Sequence, residues 1–144
     1  MKNFCTVTDY NFHRRVWALN QSLLNGSDDY ILYVLALDTE SYKLFGQKSW
    51  KNQNIRVDLL KQDTALLKCA DNIPSYEALN VASGDIPAAQ RIQFIWSLSP
   101  YFTWYCLDQY NPEDILYIDA DIYFFNNWER IYDNLDKVSV GLVE

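Results

Sequence analysis

Asp119 and Asp121 are one residue apart inside an apolar run. Ile115-Leu116-Tyr117-Ile118 leads into the first, and Ile122-Tyr123-Phe124-Phe125 follows the second. Asp is common enough in this chain that a bare Asp-x-Asp pair is expected about once by chance, so the context has to carry the weight. Two carboxylates in an apolar run are costly to bury unless they are paired or hold a cation. Hard divalent cations take oxygen ligands, commonly one or two carboxylates completed by phosphate oxygens and water. Where a strand ends, the second carboxylate can reach a metal on a diphosphate, and the first a ribose hydroxyl or a metal-bound water. A metal held there would stabilise charge building on a departing diphosphate. The competing reading is a pair of loop carboxylates that cap the next helix.

A second polar cluster, Thr8-Asp9-x-Asn11, follows the first apolar run of the chain. Short polar side chains there can read a base edge and ribose hydroxyls. Asp and Asn are equally at home as turn and helix-cap residues, so the cluster alone decides nothing.

The elements that must position these groups follow from pattern. Residues 3–8 read as a first strand. A helix is expected over residues 13–24, with Val16, Leu19 and Leu23 on one face, Trp17 and Leu24 widening it, and Asn25-Gly26 stopping it. Residues 30–37 form a continuous apolar run, as in strands of a parallel sheet covered on both faces. Residues 39–45 suit a short helix and residues 54–59 a third strand. Residues 61–86 read as irregular. Residues 87–96 suit a helix, and Ser99-Pro100 reads as the start of another that closes at Asn111-Pro112. Residues 114–118 give the strand that ends at Asp119. A short helix over 128–135 and a strand over 138–143 follow. Strand, helix, strand in this order predicts an α/β fold with a mainly parallel sheet, whose ligands bind at the carboxyl ends of the strands.

Composition narrows the function. The chain has 144 residues, 49% of them apolar, which suits one globular domain. Its formal net charge is −7. Nucleic acid is excluded as an expected partner, because phosphate-backbone binding needs clustered Lys and Arg and only Arg14-Arg15 stand together. The same acidity disfavours anionic membranes, although peripheral membrane contact and self-association stay open. Aromatics reach 16%, which suits either a Tyr- and Trp-rich core or stacking platforms for rings. Cys5, Cys69 and Cys106 are odd in number and lack a CxxC spacing, so neither a disulfide framework nor a zinc site is indicated. No apolar leader or membrane span is read from the sequence, and a reducing cytoplasm is the expected compartment.

Three stretches carry a family resemblance. They are Phe4-Cys5-Thr6-Val7-Thr8-Asp9-Tyr10-Asn11-Phe12 with the helix Ala18-Leu19-Asn20-Gln21-Ser22-Leu23, the stretch from Arg91 to Pro100, and Tyr117-Ile118-Asp119-Ala120-Asp121-Ile122-Tyr123-Phe124-Phe125. With them the chain resembles the GT-A glycosyltransferases, in particular the family 8-like bacterial enzymes, in the family's order. The resemblance implies a Rossmann-like GT-A fold. It implies that Asp119 and Asp121 form a DxD motif holding Mn2+ or Mg2+ together with the donor's ribose and diphosphate. It implies that Thr8, Asp9 and Asn11 contact the nucleoside, and that Arg91 faces donor phosphate or sugar, with Arg15 a further candidate for the same pocket. Family members supply a later His as metal ligand. The single histidine here is His13, which reads as an ordinary helix residue. The chain is therefore expected to be the donor-binding part, with the acceptor-binding C-terminal part absent.

The resulting expectation is metal-dependent transfer of a sugar from a nucleotide-diphosphate-sugar donor, UDP-linked by resemblance, to an unidentified saccharide, lipid or protein acceptor. Such chemistry needs positioning and stabilisation of a leaving group, not a Ser-His-Asp set. Two readings compete with it. One is a nucleotide-binding or interaction module without catalysis. The other is a phosphatase-type aspartate nucleophile, which the late position of the pair and the lack of a Gly-Thr after Asp121 disfavour.

Overall fold

The computed structural model describes residues 1–47, 54–60 and 88–133, with residues 88–94 described by their backbone alone. The expected irregular stretch 61–86, Pro87 and the expected strand 138–143 lie outside the described residues. Strand β1 (Lys2–Thr8) leads through a 3-10 turn (Tyr10–Phe12) into helix α1 (His13–Gly26). Strand β2 (Tyr30–Ala36), helix α2 (Thr39–Phe45) and strand β3 (Ile55–Leu59) follow. Helix α3 (Ala88–Tyr110), strand β4 (Leu116–Tyr117) and helix α4 (Glu129–Asp133) complete the described elements. The sheet order is β3-β2-β1-β4, and every pairing is parallel. This is the α/β architecture expected from the sequence.

Alternation along β1 and β2 sorts the core into two layers. Cys5, Val7, Tyr33 and Leu35 pack against Leu98, Phe102, Tyr105 and Cys106 of α3. On the other face Phe4, Leu32 and Val34 meet Val16, Leu19 and Leu23 of α1, with Trp128 and Tyr132. Both faces being covered is why β2 is buried along its whole length and carries no polar residue. Cys5 and Cys106 are buried free thiols, as expected. Trp17 is not part of the α1 core face; it is half exposed.

One expectation about a helix end is corrected. Ser99-Pro100 does not start a helix, because α3 runs unbroken through Pro100. Proline removes one backbone donor in a helix. Pro100 is exposed, so the carbonyl left over can turn to water. Leu98, Phe102, Tyr105 and Cys106 keep one continuous buried stripe across the proline, and that packing outweighs the local signal. Asn111 does close the helix: it has φ 47 and its N–H donates to the Leu107 carbonyl at 3.1 Å. Among the described residues, no helix is long and apolar enough to cross a membrane.

Gly26 stops α1 as expected, with a further reason for being glycine. It is the last residue of α1 and is not left-handed, since no glycine has positive φ among the described residues. It is required by space. A Cβ there would lie 2.6 Å from Cδ1 and 2.7 Å from Nε1 of Trp128. The indole is buried among Phe4, Tyr30 and Tyr132, and its N–H donates to the Leu23 carbonyl at 2.7 Å. It therefore has little freedom to yield. Replacing a helical glycine by alanine ordinarily stabilises by up to about 1 kcal/mol. Here the clash reverses the sign, and Gly26→Ala is expected to destabilise the chain by about 1–3 kcal/mol. Thermal unfolding followed by circular dichroism checks this, and a raised midpoint would contradict the packing account.

Candidate functional site

β1 has β2 on one side and β4 on the other. The chain builds outward from β1 through β2 to β3, then returns to add β4 at the opposite edge. The strand order therefore reverses between β1 and β4. In open parallel sheets the crevice beyond the carboxyl ends of two such strands is where ligands bind. A cavity of about 240 Å³ lies there. Val7, Thr8 and Asp9 line it from β1 and its exit, Tyr117, Asp119, Ala120 and Asp121 from β4 and its exit. Ile95 and Trp96 of α3, with Phe12 and Leu37, complete the wall.

The β1 side is rigidly held. The Thr8 hydroxyl donates to the Asp9 carbonyl at 3.1 Å. The Leu37 N–H donates to the Thr8 carbonyl at 2.9 Å, tying this exit to that of β2. Asp9 caps the 3-10 turn, accepting from the Phe12 N–H at 3.2 Å, and is only 7% exposed. Asp38 does a related job between two elements. One carboxylate oxygen accepts from the Ser41 N–H at 2.7 Å and caps α2, and the other accepts from the Tyr10 N–H at 2.8 Å.

The β4 side is a turn. The Ile118 N–H donates to the Cys5 carbonyl at 2.9 Å, the last bond to β1, and the Ile122 N–H donates back to the Asp119 carbonyl at 3.1 Å. Leaving the sheet so early exposes Asp119, Asp121, Ile122, Tyr123 and Phe125. The expected penalty for carboxylates in a buried apolar run therefore does not apply; the run is apolar in sequence and open in space. Nor do these carboxylates cap the next helix. The Glu129 N–H instead meets the Asn127 side-chain oxygen at 2.9 Å.

Among the sequence-predicted site residues, Thr8, Asp9, Asp119 and Asp121 meet at the cavity. Arg15 joins from the first turn of α1, its Nη1 3.2 Å from Asp121 Oδ2. Asn11 is exposed in the 3-10 turn and is not among the lining residues. Arg91 lies on α3, and its side chain lies outside the described residues. Phe12, Leu37, Ile95, Trp96 and Tyr117 line the cavity without having been singled out. For Phe12, Trp96 and Tyr117 the aromatic content was a signal, shared with the core; for Leu37 and Ile95 apolarity was shared with the core as well.

Three carboxylates (Asp9, Asp119, Asp121) face this cavity, and Arg15 is the cation paired to one of them. Such a surface repels a bare diphosphate and attracts a cation. Among the described residues no three His, Cys, Asp or Glu side chains gather into a metal-holding group. Two carboxylates are enough for a hard cation that completes its shell with ligand oxygens and water. Asp119 and Asp121 have that chemistry, and their exposure leaves room for it. The Tyr117 hydroxyl is pushed up from 10.0 to about 12, chiefly by burial; the neighbouring Asp119 carboxylate adds to this and Ser99 opposes it. It therefore stays protonated well above neutral pH.

A parallel α/β sheet with a polar crevice at its point of strand reversal defines the class of this chain. No family model matches it. Two uncharacterized proteins of Bacillus subtilis (strain 168), YfnD and YfnF, are each 23% identical to it, over 143 and 141 residues. The alignments take in 99% and 96% of this chain and 41% of each relative, so the chain spans about two fifths of the length of the curated relatives it matches. The solved structure of an active-site mutant of LgtC superposes with a TM-score of 0.49 and 14% identity, over 91% of this chain and 41% of that one.

Tyr117 gives a pH prediction. Its folded pKa is raised, so its contribution to stability is whole below pH about 10 and is lost as pH rises toward about 12. Tyr110 and Tyr132, raised chiefly by burial, act in the same direction. Urea midpoints should hold level to about pH 9.5 and then fall, and Tyr117→Phe should make the fall shallower. A variant with an unchanged alkaline slope would show that Tyr117 is not part of this linkage.

Proposed function

We propose that this chain carries the nucleotide-diphosphate-sugar site of a metal-dependent glycosyltransferase of the GT-A type. The observation that supports it most is the convergence of Asp9, Asp119 and Asp121 on one cavity at the strand-reversal crevice. The order of motifs along the chain, from the Thr8-Asp9 segment to Asp119-Ala120-Asp121, adds to it.

In this reading Thr8 and Asp9 orient the nucleoside. Their rigidity suits that role, because Asp9 is already fixed by the Phe12 N–H and need not be ordered on binding. Asp119 and Asp121 would hold Mn2+ or Mg2+, which when bound would offset the charge gathering on the departing diphosphate. Arg15 and Arg91 supply positive charge for phosphate oxygens. Val7, Phe12, Leu37 and Ile95 give the cavity an apolar wall alongside the carboxylates. The transfer reaction, its donor and its acceptor are part of this proposal, since the chain spans about two fifths of the length of its curated relatives.

Calorimetric titration of UDP into the chain, with and without Mn2+, tests the assignment. Binding is expected with Mn2+ and to be lost without it. Asp121→Asn should abolish the metal-dependent part. It also breaks the pair to Arg15, but an exposed pair contributes at most about 1 kcal/mol, so the fold should survive. Unchanged affinity for UDP plus Mn2+ in that variant would sink the reading.

A further inference from the structure

The first turn of α1 carries charge of the unfavourable sign. Arg14 and Arg15 stand in the first turn, and no acidic residue does. Cations at a helix N-terminus oppose the macrodipole. Departures from local helix preference of this kind tend to mark functional positions. The structure shows where Arg15 is used. Its Nη1 lies 3.2 Å from Asp121 Oδ2, and its guanidinium carbon lies 4.5 Å from the centre of the Phe12 ring. Asp121 and Phe12 both line the cavity. The side chain is thus held at the cavity rim, between an aromatic wall and one of the two carboxylates assigned to the cation.

This contact is built to be exchanged. The side chains of Arg15 and Asp121 are 54% and 53% exposed, so water screens the pair and can replace either partner. A divalent cation taking Asp121 would leave the guanidinium without its carboxylate and facing a second positive charge. A diphosphate brought to the same cavity offers the anion it has lost. Guanidinium suits phosphate oxygens through its planar fork of donors. The amino end of α1, which begins one residue after Phe12, adds positive potential in the same place.

Resting on the reading of the preceding subsection, we propose that Arg15 is an exchangeable counter-ion. It neutralises Asp121 in the free chain and passes to a phosphate oxygen of the nucleotide when a divalent cation takes that carboxylate. The exchange makes the cation and the nucleotide bind better together than apart. It also keeps the site weak for a cation alone.

The test measures two affinities on the wild type and three variants. Mn2+ alone is followed by the electron paramagnetic resonance of the free ion, and UDP at saturating Mn2+ by calorimetry. Arg15→Gln is expected to bind Mn2+ alone about two- to fivefold tighter, because an exposed competing pair has been removed. It is expected to bind UDP at saturating Mn2+ about tenfold more weakly, because a charge-assisted contact to phosphate is lost. A merely structural role would move both affinities the same way. Arg15→Lys keeps the charge and loses the fork, so its Mn2+ affinity should stay near that of the wild type while UDP binds more weakly. Arg14→Gln makes the same charge change one residue away and should leave both affinities within about twofold. The proposal is overturned if Arg15→Gln leaves Mn2+ binding unchanged, if both affinities move together, or if Arg14→Gln reproduces the effect. A wild type that binds no UDP with Mn2+ overturns the functional reading itself. A wild type that binds, with a flat Arg15 series, overturns the counter-ion alone.

Discussion

Phe4 pairs with Leu116 and Cys5 with Tyr117, and this short ladder, extended by the Ile118 N–H on the Cys5 carbonyl, is what holds β4 to β1. The Asp119-Ala120-Asp121 turn stands beside Thr8 and Asp9 because of that register. A ladder so short needs support from side chains, and it has three kinds. Lys2 pairs with Asp114 at 3.1 Å and lies over the Tyr132 ring. The Tyr132 hydroxyl donates to the Asn3 carbonyl at 3.1 Å. Trp128 is wedged against the bare backbone of Gly26 and edges onto Phe4. The polypeptide on both flanks of the turn is therefore pinned to β1 or to its covering helix, and within the turn only Ala120 packs into the core, leaving Asp119 and Asp121 exposed. A cavity wall made in this way keeps its carboxylates exposed without cost to the core.

The same division explains the aromatic content. Phe4, Tyr30, Trp128 and Tyr132 pack edge to face in one cluster under α1. Tyr33 and Tyr110 stack on the other side of the sheet, where the Tyr110 hydroxyl donates to both oxygens of Asp58 at 2.8 Å. These rings are structural. Phe12 and Trp96 are different, since both are exposed and both line the cavity, Trp96 at 69% exposure. Core packing accounts for the first group, and the second lies open at the cavity.

Charge is arranged with equal economy. An acidic chain has placed three carboxylates at one crevice and a single described guanidinium against them. Such a surface repels phosphates and attracts cations. The helix that supplies the guanidinium begins with two arginines against its own dipole.

Local pattern was enough for β1, α1, β2, α2 and β3, because a buried strand and an amphipathic helix write their period directly into the order of residues. It was also enough to mark Asp119, Asp121, Thr8 and Asp9, whose polar side chains interrupt or end apolar runs. Three things were decided only in three dimensions. Pro100 stays inside α3 because a buried stripe continues on both sides of it, a fact about the sheet beneath and not about the helix sequence. Gly26 is glycine because of an indole far along the chain, and no rule for helix ends could show that. The contact of Arg15 with Asp121 joins residues from different elements, and it exists because the strand order puts β4 beside β1. Sequence periodicity determines which residues face inward along each element. Which residues meet across elements depends on sheet order and close packing, and the candidate site is made of such meetings.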